Sequence, residues 1–288
     1  MSTPPFLKLP VCASAVRLAT ARGSFASLVA EPAGPVRGTA LLVPGFTGSK
    51  EDFIALLEPL AERGYRTVAV DQRGQYETGG PGEPAAYAIE ELGLDLLALS
   101  AALGTGTPLH LLGHSFGGQV CRQAVLTADR RGGALPWRSL TLLSTGPGAI
   151  DPNEAARTKL LIDALGGLGL EEIWQLMQQL DEGKPRPAAE IGEFLHRRWV
   201  ANRPEALTVM GGHLVSAPDL VAELAAVELP KQVVSGEQDY AWPVPEQIAM
   251  ADRLDARHTT VPGALHSPNA EQPAATAAVL ADFWNVAE

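Results

Sequence analysis

A chain of 288 residues has enough material for one large hydrophobic core, and at ~100–200 residues per domain it implies one or two domains. With 46% hydrophobic and 19% charged residues, the composition is globular and excludes a disordered chain. Its 22 basic and 33 acidic side chains leave a net charge of −11, which repels phosphate backbones and anionic lipid, so neither nucleic acid nor a membrane is an expected partner.

In chain order, a short apolar stretch follows Lys8, and Ala13-Ser14-Ala15 resembles a signal-cleavage site. Pro10 interrupts the stretch, and its length of about seven residues is at or below the minimum for a signal peptide. No uninterrupted apolar run reaches the ~18 residues of a membrane span. Cys12 and Cys121 form neither a disulfide framework nor a metal-ligand spacing. A cytoplasmic monomer or homodimer is the expectation. Residues 16–20 and 24–31 read as a hairpin turning at Gly23, and 39–43 as a short buried strand. Ser49 caps the helix that follows. Asp52 suits its positive end, and Phe53, Leu56, Leu57 and Leu60 form its apolar stripe. Residues 65–71 read as a strand, 72–84 as a Gly-rich loop, and 90–102 as a helix apolar almost all round and so heavily buried. Strand 109–112, helix 116–129 and strand 140–143 continue the alternation.

After Ser144 the rhythm breaks, and residues 147–218 carry helical patterns with no convincing strand. It then resumes with helix 217–227, strand 231–235, helix 245–254, strand 259–261 and a closing helix 270–286. Such alternation predicts an α/β protein with a mostly parallel central sheet flanked by helices. The expected organisation is a core of residues 1–146 and 218–288, with a helical cap insertion at 147–217.

The strongest local signal is Gly113-His114-Ser115-Phe116-Gly117 between a buried strand and a helix. This G-x-S-x-G context is that of a nucleophile elbow, where a sharp turn lifts the serine Oγ clear of the backbone. Pro44-Gly45-Phe46-Thr47-Gly48-Ser49 follows another strand and can present backbone donors. Acyl transfer at a serine needs such donors where the oxyanion forms, and the N–H groups of Phe46 and Phe116 are the best placed. A serine hydroxyl also needs a base within hydrogen-bond reach. Of six histidines, His266 alone falls cleanly in a loop at the carboxyl ends of the sheet, where sites of open α/β sheets gather. Asp239, one strand earlier at the same edge, is the best partner for His266, with Glu237 and Asp151 as rivals.

Together these residues resemble the α/β-hydrolase superfamily, whose nucleophile–acid–histidine order is matched by Ser115, Asp239 and His266. The resemblance runs from about Val16 to Val286 and places the insertion where the superfamily carries its cap. It implies the α/β-hydrolase fold. Asp71-Gln72-Arg73-Gly74 resembles the family's D-x-R-G stretch, whose residues shape the loops beside the oxyanion hole. Two departures stand out: Pro44 where many relatives have histidine, and Gly74-Gln75-Tyr76 where glycine–histidine–glycine is usual, a change expected in the cap-facing wall of the pocket. Serine at the nucleophile position argues against dehalogenase and epoxide-hydrolase chemistry.

Phe46 and Phe116 are expected to border an apolar acyl pocket. Trp174, Met177, Phe194, Trp199 and Met210 of the insertion either line that pocket or hold the cap helices together. The cap carboxylates Glu171, Glu172, Glu182, Glu190 and Glu193 raise an amine-binding peptidase reading, though their spread suits a solvated face. The expected function is a cofactor-free serine esterase or thioesterase acting on a small-molecule, largely apolar substrate through an acyl-enzyme. Carbon–carbon hydrolysis of a β-diketone-like substrate, a biosynthetic lyase or acyltransferase, and a ligand receptor on the same fold are the alternatives.

Overall fold

The computed structural model describes residues 2–104, 106–181, 183 and 185–287. Eight strands form one sheet: β1 (Ala13–Thr20), β2 (Gly23–Ala30), β3 (Gly38–Val43), β4 (Tyr65–Val70), β5 (Leu109–His114), β6 (Ser139–Leu143), β7 (Lys231–Gly236) and β8 (Arg257–Val261). Their spatial order is β1-β2-β4-β3-β5-β6-β7-β8. β2 pairs antiparallel with both β1 and β4, and every other pairing is parallel. β3, β5 and β6 are buried along their whole length, as parallel strands covered on both faces must be.

The helices α1 (Ile54–Glu62), α2 (Ile89–Leu103) and α3 (Phe116–Arg131) follow β3, β4 and β5 in the chain. Between β6 and β7 stand α4 (Pro152–Leu165), α5 (Leu170–Leu180), α6 (Ala189–Val200), α7 (Pro204–Ser216) and the short α8 (Val221–Ala225). The chain closes with α9 (Val244–Arg253), α10 (Pro268–Glu271) and α11 (Pro273–Val286). Adjacent residues of β5 show how the sheet divides the core. Leu111 packs with Leu96 of α2, Val120 of α3 and Met250 of α9. Leu112 packs on the opposite face with Leu57 of α1 and Leu280 and Trp284 of α11.

Four local expectations are corrected. The helix after Ser49 opens as a 3₁₀ turn over Lys50–Phe53, and the Ser49 hydroxyl has no partner. The Asp52 carboxylate accepts the Ser49 N–H instead, at 3.3 Å. α2 is two-faced: Leu92, Leu96 and Leu99 are buried while Ala101 and Ala102 are exposed. Residues 217–220 lie outside α8, where the Asp219 carboxylate accepts the Val221 N–H at 3.0 Å. The closing helix divides at Gln272 (φ −137°), since the residue before Pro273 is pushed out of the helical region.

Candidate active site

The carboxyl ends of β3, β5, β7 and β8 deliver the loops of the site to one edge of the sheet. Ser115 follows β5 at φ 54°, ψ −123°, a backbone region that costs an L-residue energy and is kept where its surroundings over-determine it. Those surroundings are close-fitting backbone: a Cβ on Gly113 would collide with the Gly117 carbonyl, and one on Gly117 with the Val43 carbonyl. The Ser115 N–H donates to the Leu143 carbonyl of β6 at 2.9 Å, locking the turn to the neighbouring strand.

Ser115 Oγ lies 3.0 Å from His266 Nε2, and His266 Nδ1 lies 2.8 Å from Asp239 Oδ1. Since a carboxylate only accepts, Nδ1 carries the proton and Nε2 is free to accept from the serine. The Asp239 carboxylate is fully buried. Its Oδ1 also accepts from the Ala241 and Trp242 N–H groups at 2.8 and 3.3 Å, and its Oδ2 from Gln247 Nε2 at 2.9 Å. The two loops are tied by the Glu237 N–H, which donates to the Ala264 carbonyl at 2.8 Å. The rival carboxylates are elsewhere. Glu237 accepts the Gly263 N–H at 2.9 Å, and Asp151 caps α4 by accepting the Asn153 N–H at 2.8 Å.

The 44–49 loop lies against the elbow: a Cβ on Gly45 would sit 2.9 Å from Ser115 Cβ. The Phe116 N–H, in the first turn of α3, has no intrahelical acceptor. Gln72 Nε2 donates to the Pro44 carbonyl and Gln75 Nε2 to the Gly45 carbonyl, both at 2.8 Å. Gln75 is thus buried beneath the loop, which corrects its expected place in the cap-facing wall. Below it, Lys50 Nζ meets Asp71 Oδ2 at 3.0 Å, and Asp71 Oδ1 accepts the Lys50 N–H at 2.7 Å. Burial disfavours the Lys50 cation, but the carboxylates of Asp71 and Glu51 outweigh it and raise the ammonium above its ordinary value.

Two residues of the site carried no sequence signal. His114 donates from Nε2 to the His266 carbonyl at 2.8 Å, fixing the backbone that bears the imidazole. Burial, then proximity to His266, pushes its pKa down to about 3, so it is neutral at pH 7. Tyr240 stacks obliquely on His266, with ring centroids 4.8 Å apart.

Ser115 opens on a cavity of ≈150 Å³ whose walls include Phe46, Tyr240 and Ile150, with Glu154 and Thr158 from α4 and Leu214 from α7. Phe46 is the one member of the expected pocket set on that wall. Trp199 packs with Ile173 and Leu207, with Met177 against them, and Met210 sits in the main core. Phe194 packs with Ile191 and Leu195, while Trp174 borders a separate groove between α5 and α6. The aromatic stripe reflects how amphipathic helices bury their own inner faces. The Phe116 side chain is likewise fully buried in the core and not at the cavity. Among the cap carboxylates, Glu171 pairs with His196 at 2.6 Å and Glu172 accepts the Gly169 N–H at 2.8 Å. Glu182 lies outside the described residues.

The chain matches the model of the Alpha/beta hydrolase family over residues 40–279, and it belongs to that family. It is 27% identical over 265 residues to a putative 2-succinyl-6-hydroxy-2,4-cyclohexadiene-1-carboxylate synthase of Bacillus subtilis (strain 168), covering 87% of this chain and 92% of the relative. Over 260 residues it is 28% identical to a putative carbamate hydrolase RutD of Variovorax paradoxus (strain S110), covering 87% and 93%. A crystal structure of a hydrolase from Pseudomonas aeruginosa PA01 shares the fold at a TM-score of 0.73 and 25% identity, covering 94% of this chain and 98% of the other. No helix of the described residues is long and apolar enough to cross a membrane.

Proposed function

We propose that the protein is a serine hydrolase of carboxylic esters or thioesters that works through an acyl-enzyme. The observation that carries this reading is the continuous relay from Ser115 Oγ through His266 to the buried Asp239 carboxylate, with separations of 3.0 and 2.8 Å. In the first half-reaction Oγ attacks the carbonyl carbon and passes its proton to His266 Nε2. The imidazolium then protonates the departing alcohol or thiol as the carbon–heteroatom bond breaks. Water, deprotonated by the same nitrogen, attacks the acyl-enzyme and releases the acid. The N–H groups of Phe46 and Phe116 receive the oxyanion in both halves. The helices of residues 147–217 act as a cap, a role supported by the α4 and α7 side chains in the cavity wall. The substrate is small and uncharged near the reacting carbon, consistent with Phe46, Ile150 and Leu214 around it.

Ser115→Ala is expected to abolish labelling by a fluorophosphonate and turnover of p-nitrophenyl esters, and persistent labelling of the variant overturns the assignment. The similarity to a synthase favours a second reading, in which the serine site promotes an elimination and no water is consumed. Reaction in ¹⁸O-water separates the two, because only hydrolysis places solvent oxygen in the acid product.

A further inference from the structure

The cavity at Ser115, at ≈150 Å³, is smaller than the ~300–1,000 Å³ usual for ligand sites. What closes it is a piece of chain remote in sequence. Ser2 forms part of its wall, while the next residue, Thr3, lines the groove of ≈940 Å³ between α5 and α6, beside Trp174 and Leu195. A single thickness of peptide therefore divides a confined reaction chamber from a much larger space.

The attachment of this strap is sparse. Pro4 is buried, and Leu7 packs against the cluster of Ile191, Phe194 and Leu195 on α6. Among the described residues, no backbone hydrogen bond ties residues 2–7 to the rest of the molecule. One specific polar contact holds the tip, from Arg198 Nη2 to the Ser2 carbonyl at 2.7 Å. The Ser2 hydroxyl is buried and has no partner. Arg198 is itself fully buried, and its other arm meets Asp52 Oδ1 at 2.6 Å. The guanidinium thus fixes the strap against the loop that follows Phe46, with its position set by an ion pair.

We propose that the strap at Ser2 and Thr3, pinned by Arg198, is the specificity-determining wall of the site. It limits the acyl chain to a few carbons, and the α5–α6 groove behind it is the space a longer chain occupies once the wall is gone. This inference rests on the reading of Ser115 as the nucleophile. It predicts that chain-length preference is controlled by residues that take no part in bond making.

The test uses the full-length protein and two variants, one lacking residues 2–5 and one carrying Ser2→Phe, on p-nitrophenyl esters from acetate to octanoate. The deletion leaves Leu7 in its cluster and is expected to raise the octanoate-to-acetate ratio of kcat/KM by about tenfold or more. Ser2→Phe fills the chamber and is expected to lower the butyrate-to-acetate ratio by a similar factor. Circular dichroism and a thermal melt establish that each variant is folded, and the opposite signs keep the proposal testable if one of them is not. A wild-type enzyme that cleaves acetate, with folded variants that keep its chain-length profile, overturns the strap alone. A wild type that neither cleaves the acetate nor takes a fluorophosphonate overturns the nucleophile assignment, and the strap with it.

Discussion

At Asp239 both carboxylate oxygens face donors: His266 Nδ1 and the N–H groups of Ala241 and Trp242 on Oδ1, and Gln247 Nε2 on Oδ2. An asparagine there cannot satisfy them, because its NH₂ confronts an N–H in either orientation. Asp239→Asn is therefore expected to lower kcat by about 10³–10⁴-fold and to cost about 1–3 kcal/mol of stability, measured by ester turnover and urea titration. The residues that bond this relay divide by how their chemistry is encoded. Ser115 and its flanking glycines are announced by a local motif, because the strained turn needs hydrogen side chains next to the serine. His266 and Asp239 are found by elimination among loops at one sheet edge. Gln247 and His114 carry no signal, since an amide on a helix and the variable position of a motif look the same whether or not they hold a neighbour.

Among the elements, the loop after β3 depends on its neighbour after β4. Gln72 and Gln75 fasten the Pro44 and Gly45 carbonyls and so orient the peptide whose N–H belongs to Phe46. Gln75→Leu keeps the bulk but removes the donor. It is expected to lower kcat by about tenfold to a hundredfold with KM changed much less, the pattern of a site that loses transition-state alignment. A fall in KM affinity with kcat intact would show that Gln75 shapes only binding. The strands were legible because each is a short β-branched or leucine-rich run closed by turn residues. Helix ends were less so: Pro218 and Pro273 mark breaks that apolar periodicity alone runs straight through. The cavity wall was not legible at all. Which of the inserted aromatics face inward depends on how α4 to α7 pack on one another, and periodicity gives a face without naming its partner.

For the whole molecule, two buried imidazoles set a response to acid. Burial, reinforced by Arg138, pushes the His110 pKa down to about 4, and that of His114 is pushed down to about 3. Both groups bind a proton near pH 6.5 when unfolded and resist it when folded. The stability each contributes is complete above about pH 6.5 and is lost as the pH falls toward the folded value. Each adds a slope of about 1.4 kcal/mol per pH unit between roughly pH 6 and pH 4. His110 Nδ1 pairs with Ser139 Oγ at 2.8 Å, a bond that glutamine can replace. Unfolding midpoints at pH 7.5 and 5.0 should accordingly lie closer together in His110→Gln than in the wild type, and equal spacing refutes the assignment. The fold as a whole was readable from the βα alternation, whereas contacts between distant stretches of chain were not. The pairing of Asp52 with Arg198 joins residues 146 positions apart and lies wholly within the interior.

That pairing has a mechanical consequence. It bolts α6 to the segment that follows the oxyanion loop, and lifting the helix away would leave two opposite charges stranded in dry surroundings at a cost of several kcal/mol. A hinged swing of the entire insertion is therefore a poor route for molecular traffic. Reactants and products are better served by the slack peptide at the start of the chain, whose peeling disturbs one hydrogen bond from a guanidinium that stays neutralised throughout.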